Sequence, residues 1–291
     1  MSKQSQIEEL VDSFLNYLFI QKGLSQNTIN SYKHDLKKFV DANKTLDIKG
    51  TDFDSFLHNI NTLKLSPKSK QRLISSLKQF HIYLSQLSVI DHEFPKGVRI
   101  KLGSSLPRVL SINEVDSFIN FYDHSNFLNS RNKTILDFLY SAGTRVSELC
   151  NVELSDIDLD DNFVQLKGKG SKYRIVPIGS LLRQNLTEYL TYRNNLKSIN
   201  SFLFLSKSHK QMERTAVFRI IKKTTSNLGL DSDIHPHTFR HSAATHMLEG
   251  GCDLRTVQEF LGHSSVSTTQ IYTKITKEFL EEAFIESHPR S

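Results

Sequence analysis

Apolar residues recur every three or four positions along most of the chain, and this spacing restricts the fold more than any other feature. In the first third they define four amphipathic helices, over 7–20, from Ser25 onward, after Thr51, and after Ser66-Pro67. Serine and threonine are favoured helix N-caps, and proline is tolerated at the first helical position. Because each helix has one apolar face, the pattern predicts a four-helix bundle.

A segment without this periodicity, HEFPKGVRIKLGSSLPR at 92–108, interrupts the chain. Its two prolines, two glycines and four basic residues are typical of a linker. The sequence therefore predicts an N-terminal domain over 1–91, a linker over 92–108 and a second domain over 109–291. The exposed cations of the linker can follow a polyanion, with a solvated connector as the alternative; they include Lys96, Arg99 and Lys101.

The second domain is predicted to be mostly helical with one small antiparallel sheet. Ser111 and Glu114 have the spacing of a capping box. Two short alternating runs, Phe163–Leu166 and Tyr173–Ile178, flank a Gly-rich basic turn and predict a β-hairpin. Further helices are predicted near 112–121, 129–141, 181–197, 213–228, 238–249 and 253–261.

Charge and composition narrow the class of protein. The 291 residues carry a net charge of +6, and residues 1–105 supply +5 of it (15 Lys/Arg against 10 Asp/Glu). A polyanionic partner and a lysine-rich solubilised surface are both compatible with that excess. The chain has only two cysteines, which predicts a protein without disulfides. It has no apolar run of the ~18 residues that span a bilayer and no signal-peptide pattern, so we expect a soluble, cytoplasmic protein.

Two cationic side chains stand beside glycines in the second domain. Arg145 follows Gly143 where one helix ends and the next begins, so its guanidinium and free backbone N–H groups could bind one anion. Lys169 lies between two glycines on the hairpin turn, where a ligand can approach closely. An exposed helical arginine and a plain surface turn are the alternative interpretations.

Three further segments carry titratable groups. Arg240 follows His237 by three positions, on one face of a predicted helix. A zinc site is disfavoured because Thr238 stands where the HExxH motif has glutamate. His263 follows a helix-ending glycine, and Tyr272 comes nine residues later. A structural histidine and a half-buried tyrosine are the alternatives for these two.

Together these groups have the chemistry of phosphoryl transfer without a metal. Two arginines can hold the two non-bridging oxygens of a phosphodiester and stabilise its growing charge. A tyrosine hydroxyl can attack phosphorus, and a lysine can protonate the leaving alkoxide. Histidines can donate to the phosphate or move the proton of the nucleophile. No cofactor is predicted.

Five motifs resemble the tyrosine site-specific recombinase (phage integrase) family, and in particular its chromosome-dimer-resolving XerC/XerD branch. They are GTRVSEL, KGKGSKYRIVPIG, HPHTFRHSAATHMLEGG, VQEFLGHSSVSTTQIYT and the terminal ESHPR. The resemblance implies that Tyr272 is the nucleophile, that Arg145 and Arg240 bind the phosphate, and that Lys169 is the general acid. His237 and His263 would complete the set.

The resemblance also implies an architecture and partners. Residues 1–105 would form the family's SAM-like, DNA-clamping domain, and helices 66–86 and 212–228 are candidates for groove contact. A tetramer of this chain, alone or with a paralogue, would exchange strands between two specific double-stranded DNA sites through a Holliday junction. The C-terminal helix, about 275–286, would dock onto a neighbouring protomer, its alternative being packing on its own domain. A septal DNA translocase is a possible activating partner.

Four other functions are alternatives. A mobile-element integrase and a topoisomerase-like nicking–closing enzyme would use the same tyrosine chemistry. A DNA-binding protein without catalysis is disfavoured by the complete set of six residues. Metal-dependent hydrolysis is the most remote alternative.

Overall fold

The computed structural model describes residues 3–43, 53–95, 108–168, 173–196, 200–230, 233–262 and 274–291, without the side chains of 3–5 and 274–276. The chain divides into two compact units, Met1–Ser105 and Leu106–Ser291. Across these described ranges, no helix is both long and apolar enough to span a bilayer.

Within its described residues, the first unit is a bundle of four helices, as the periodicity predicts. Its helices are α1 (Lys3–Ile20), α2 (Gln26–Ala42), α3 (Phe53–His58) and α4 (Pro67–Gln86), with a 3₁₀ turn at Asn59–Thr62. The predicted caps form at two of them: the hydroxyls of Ser25 and Ser66 accept from backbone N–H groups three residues on. The predicted cap of the third, Thr51, lies outside the described residues.

The apolar faces of these helices meet in one core, which contains Phe14, Leu36, Phe39, Leu77 and Phe80. A buried ion pair joins α2 to α4 at its edge. Asp35 is 1% exposed and accepts two hydrogen bonds, at 2.7 and 2.9 Å, from the guanidinium of Arg72. The pairing compensates the buried charge of Asp35, and the side chain of Arg72 stays partly exposed to water.

In the second unit, helix α6 lies at the centre and other helices pack around it. Its helices are α5 (Ile112–Asn120), α6 (Phe127–Ser141), α7 (Val146–Asn151), α8 (Ser180–Asn194), α9 (Arg214–Asn227), α10 (Pro236–Glu249), α11 (Leu254–Leu261) and α12 (Lys274–Ser287). Helix α6 contacts α5, α7, α8, α9 and α10. Its polar residues Thr134, Asp137 and Ser141 are therefore as buried as its apolar ones. The capping box of Ser111 and Glu114 forms at the start of α5, as predicted.

The sheet contains the predicted hairpin and one additional short strand. Strands β2 (Phe163–Lys167) and β3 (Tyr173–Pro177) pair antiparallel, with Leu166 opposite Arg174. Strand β1 (Ile157–Asp158) pairs with the far edge of β2 and was not predicted, because two residues are too few for a periodic pattern. The order is β1-β2-β3. Along β3 the exposed Tyr173 is followed by the buried Arg174.

The C-terminal helix packs on its own unit in this single chain. Helix α12 contacts α10, α11 and β3, and it buries Leu280 and Phe284. Phe279 and Ile285 on the same helix are exposed. Packing on its own domain is the alternative given for the predicted exchange helix at about 275–286, and exchange between protomers stays a prediction.

The residues after α12 are anchored as firmly as the helix itself. Arg290 donates to both carboxylate oxygens of Asp137, at 2.9 and 3.1 Å, and to Asp116 at 2.8 Å. The ring of His288 is 3% exposed and stacks on Phe284 at 4.5 Å between centroids. Ser287, His288 and Arg290 of the polar ESHPR segment are thus buried in the second unit.

Candidate active site

Arg145 lies at the junction between α6 and α7. Gly143, at φ +52°, ends the first helix in the left-handed conformation that glycine adopts without strain, and Arg145 is the N-cap of the second. Its guanidinium donates to Glu148 Oε1 at 2.6 Å, and its backbone N–H donates to Glu148 Oε2 at 2.9 Å. About a third of the side chain stays exposed (34%).

The predicted position of Arg145 at a helix N-terminus is confirmed. The backbone N–H of Arg145 is not free for an anion, because the carboxylate of Glu148 already accepts it.

Glu148 is a buried carboxylate shared by two arginines. Besides Arg145 it binds Arg174, whose Nη1 and Nη2 donate to Oε1 and Oε2, both at 2.9 Å. Burial raises the pKa of Glu148, but the hydrogen bonds from Arg174 and Arg145 and the charge of Arg174 lower it by more, so the carboxylate stays ionised.

Arg240 is the second predicted phosphate ligand, and it is nearly buried on α10. Its guanidinium donates to the carbonyl of Gly143 at 2.5 Å and to that of Leu261 at 2.6 Å. Burial, and then the charges of Arg145 and Arg174, lower the pKa of Arg240 to about 9, so it remains charged at neutral pH. No carboxylate within the described ranges accepts a hydrogen bond from it, which makes an external anion a favourable partner.

Three successive carbonyls at the end of α11 hold the three arginines. Those of Phe260, Leu261 and Gly262 accept from Arg174 (3.0 Å), Arg240 (2.6 Å) and Arg145 (3.4 Å) respectively. The C-terminal end of a helix carries partial negative charge and attracts cations. The side chains of Arg145 and Arg240, 95 positions apart, therefore converge on one place, as the prediction requires.

Gly262 allows this convergence. It has φ +65°, and a Cβ atom added there would lie 2.8 Å from Cδ of Arg174. Any other residue would therefore meet both backbone strain and a steric clash with the arginine side chain.

His237 lies in the first turn of α10, one turn before Arg240, and its side chain is exposed. Partial desolvation lowers its pKa, and the positive surroundings of His235, Arg240 and Arg145 lower it further. The ring is therefore neutral at pH 7 and can donate a hydrogen bond or accept a proton.

Three of the six predicted catalytic residues lie outside the described residues: Lys169, His263 and Tyr272. The described elements end next to each of them. Strands β2 and β3 flank the segment that contains Lys169, Gly262 precedes His263, and α12 begins two positions after Tyr272. The predicted linker cations Lys96, Arg99 and Lys101 are also outside the described residues.

The sequence interpretation missed Glu148 and Arg174. Glu148 stands three positions after Arg145, the spacing of a capping box, which could have indicated it. Arg174 occupies an inward position of an otherwise apolar strand, and a charge there indicates a buried partner. In the part of the chain that the structure describes, no three His, Cys, Asp or Glu side chains group as metal ligands would.

Comparison with known proteins identifies the family of this arrangement. Residues 108–278 match the phage integrase family, and residues 11–86 match the phage integrase N-terminal SAM-like domain. A tyrosine recombinase XerD of Listeria innocua is 38% identical over 98% of this chain and 100% of its own. A XerD of Bifidobacterium longum is 36% identical over 97% of each chain.

Solved structures agree with the fold. The crystal structure of XerA recombinase has 28% identity and a TM-score of 0.51, covering 98% of this chain and 99% of its own. XerH recombinase bound to its difH substrate, in a pre-cleavage complex, has 22% identity and a TM-score of 0.73, covering 93% and 94%. The chain belongs to the phage integrase family. It is an enzyme, a tyrosine recombinase of the XerC/XerD type, and it performs site-specific recombination by strand cleavage and rejoining.

Proposed function

We propose that this recombinase cuts double-stranded DNA at a specific site by forming a 3′-phosphotyrosyl link through Tyr272. The observation that carries the proposal is the convergence of Arg145 and Arg240 at the end of α11. With Arg174 the described site holds three guanidinium groups and one carboxylate, that of Glu148, for a net charge of 3 − 1 = +2. Such an excess suits a phosphodiester whose negative charge grows in the transition state.

Each residue has a defined part in the proposed reaction. The phenolic oxygen of Tyr272 attacks phosphorus, the bond to the 5′-oxygen breaks, and Lys169 protonates the departing 5′-oxygen. Arg145 and Arg240 hold the non-bridging oxygens, and the part proposed for His263 is a hydrogen bond to the same phosphate. His237, being neutral, can accept the phenolic proton or donate to the phosphate. Because the phosphate ester is conserved on the enzyme, the reverse attack by a 5′-hydroxyl rejoins a strand.

A suicide substrate tests this assignment. On DNA nicked next to the scissile phosphate, the wild-type chain should accumulate a covalent adduct that survives a denaturing gel. Tyr272→Phe should bind the same DNA and form no adduct. The matched control is Tyr173→Phe, which removes an exposed hydroxyl from β3 and should leave adduct formation intact. Wild-type adduct levels in Tyr272→Phe would refute the nucleophile.

Two helices fit the predicted contact with DNA. Helix α9 has four cations on its exposed face and no acidic residue: Arg214, Arg219, Lys222 and Lys223. Helix α4 also has four cations and no acidic residue, Lys68, Lys70, Arg72 and Lys78, of which Arg72 is already paired with Asp35. Phosphate neutralisation releases counterions, so binding through these faces should weaken steeply with salt.

Neutralising variants test this interface by the salt dependence of DNA affinity. We expect Lys222→Gln/Lys223→Gln to weaken binding and flatten the plot of log Kd against log salt. Arg183→Gln, an exposed arginine on α8, is the control and should leave the slope unchanged. The same plot tests the linker with glutamine at Lys96, Arg99 and Lys101. An unaltered slope would mean that these cations do not contact the phosphates.

The biological setting we propose is resolution of chromosome dimers in the cytoplasm, supported by the XerD relatives. A tetramer, formed alone or with a paralogue, would exchange strands through a Holliday junction, and a septal translocase would activate it. Excision between two directly repeated sites, with and without the paralogue, measures this activity. A mobile-element integrase would instead join two different sites, and site-independent relaxation of supercoils would favour the topoisomerase-like alternative.

A further inference from the structure

Arg174 has no role in the proposed reaction, yet all three nitrogens of its guanidinium donate hydrogen bonds inside the site. Its side chain is 4% exposed on β3. Nη1 and Nη2 bind both oxygens of Glu148 at 2.9 Å, and Nε binds the carbonyl of Phe260 at 3.0 Å. A planar fork bound on all three nitrogens has a fixed orientation.

The carboxylate that Arg174 holds is the one that orients Arg145. Glu148 Oε1 accepts from both arginines, at 2.9 Å from Arg174 and 2.6 Å from Arg145. Oε2 accepts from Arg174 and from the backbone N–H of Arg145. Turning the carboxylate would therefore break its bonds to both arginines at once. The third contact of Arg174 ties this unit to the end of α11, where Arg240 is also bound.

We propose that Arg174 is a positioning residue for cleavage, which fixes the orientation of Arg145 through the shared carboxylate of Glu148. It does not touch the phosphate. It also supplies the positive charge that balances Glu148, so that the charge of Arg145 is left for the DNA. A lysine at this position keeps the charge but donates from one nitrogen, so it loses the fork that orients the carboxylate.

The inference rests on the proposed function, and the first experiment separates the two. The rate of adduct formation on the nicked substrate is measured for the wild type, Arg174→Lys and Arg193→Lys. Arg193 is the matched control: it is 3% exposed in the same unit and binds the carbonyls of Asn200 and Phe202. Absence of a wild-type adduct would overturn the proposed function itself.

With an active wild type, Arg174→Lys should bind DNA with unchanged Kd and cleave it about 10- to 100-fold more slowly, a loss of the size seen when the hydrogen-bond partner that orients a metal ligand is removed. Arg193→Lys should keep its rate. Equal rates in the wild type and Arg174→Lys, or equal losses in the two variants, would overturn the inference. Circular dichroism spectra and the Kd for DNA show whether each variant is folded. Glu148→Gln keeps the shape of the side chain and should show the same loss of cleavage rate.

A double variant identifies the route of the effect. If Arg174 acts through Arg145, then Arg174→Lys should cause little further loss in an Arg145→Ala background. Multiplying losses would contradict this route. A substrate with sulfur in place of the 5′-bridging oxygen needs no proton on its leaving group. It therefore restores the cleavage rate only where the general acid, Lys169, is impaired. The loss in Arg174→Lys should persist on that substrate, and restoration of the rate would overturn the proposal.

Discussion

His288 makes the stability of the second unit depend on pH. The ring is buried, stacks on Phe284, and accepts a hydrogen bond from the backbone N–H of Arg290 at 3.1 Å through Nδ1. Burial, and then the charges of Arg290 and His246, lower its pKa to about 3. In the unfolded chain an ordinary histidine has a pKa of about 6.5.

The sign and size of the effect follow from linkage. Between pH 6.5 and pH 3 the unfolded chain binds a proton at this position and the folded chain does not, so stability falls as the pH falls. From pH 7 to pH 5 this single group should destabilise the fold by about 2 kcal/mol, since one pH unit within the window corresponds to about 1.4 kcal/mol.

Replacing the ring isolates this contribution from those of the other titrating groups. His288→Phe keeps the stacked shape and removes the titration. Its free energy of unfolding should rise relative to that of the wild type by about 2 kcal/mol on going from pH 7 to pH 5, because the variant lacks the loss of stability that the buried ring causes. Urea unfolding followed by circular dichroism measures the free energy of unfolding of each protein at both pH values. His241→Gln is the control for loss of an exposed histidine. A difference between wild type and His288→Phe that is the same at both pH values would refute the reasoning.

Three other predictions concern single side chains. Arg240→Ala should lower the cleavage rate by about 10²–10³ while DNA binding persists, because one donor to the developing charge is lost. Gly143→Ala should cost about 1–3 kcal/mol in thermal unfolding, since φ is +52° and the new Cβ would lie 2.7 Å from a ring carbon of Phe260. Ser66→Ala should destabilise the first unit by about 1 kcal/mol through loss of its cap, and Ser66→Asp should retain most of that stability.

Local signals in the sequence predicted most of the fold. The caps at Ser25, Ser66 and Ser111 depend on residues three positions away, so they are visible without tertiary information. The hairpin was predicted because β2 and β3 are long enough for period-two alternation. Strand β1 was not predicted because its two residues are too few to show a period.

What the sequence could not predict depends on contacts between distant segments. Arg174 and Glu148 are 26 positions apart, and nothing near either residue announces the pair. Asp137 lies on what an amphipathic pattern would treat as the polar side of α6, but α8 and the C-terminal tail cover that side. The tail itself is polar in composition, and its burial follows only from the partners it finds.

The three carbonyls at the end of α11 also limit how this site can evolve. Adding or removing one residue in an α-helix turns its terminus by about 100° and moves it by about 1.5 Å. Such a change between Asp253, the N-cap of α11, and Gly262 would turn all the acceptors away from their arginines together. Chains that keep this chemistry are thus expected to conserve the number of residues in the helix more strictly than most of its amino acids.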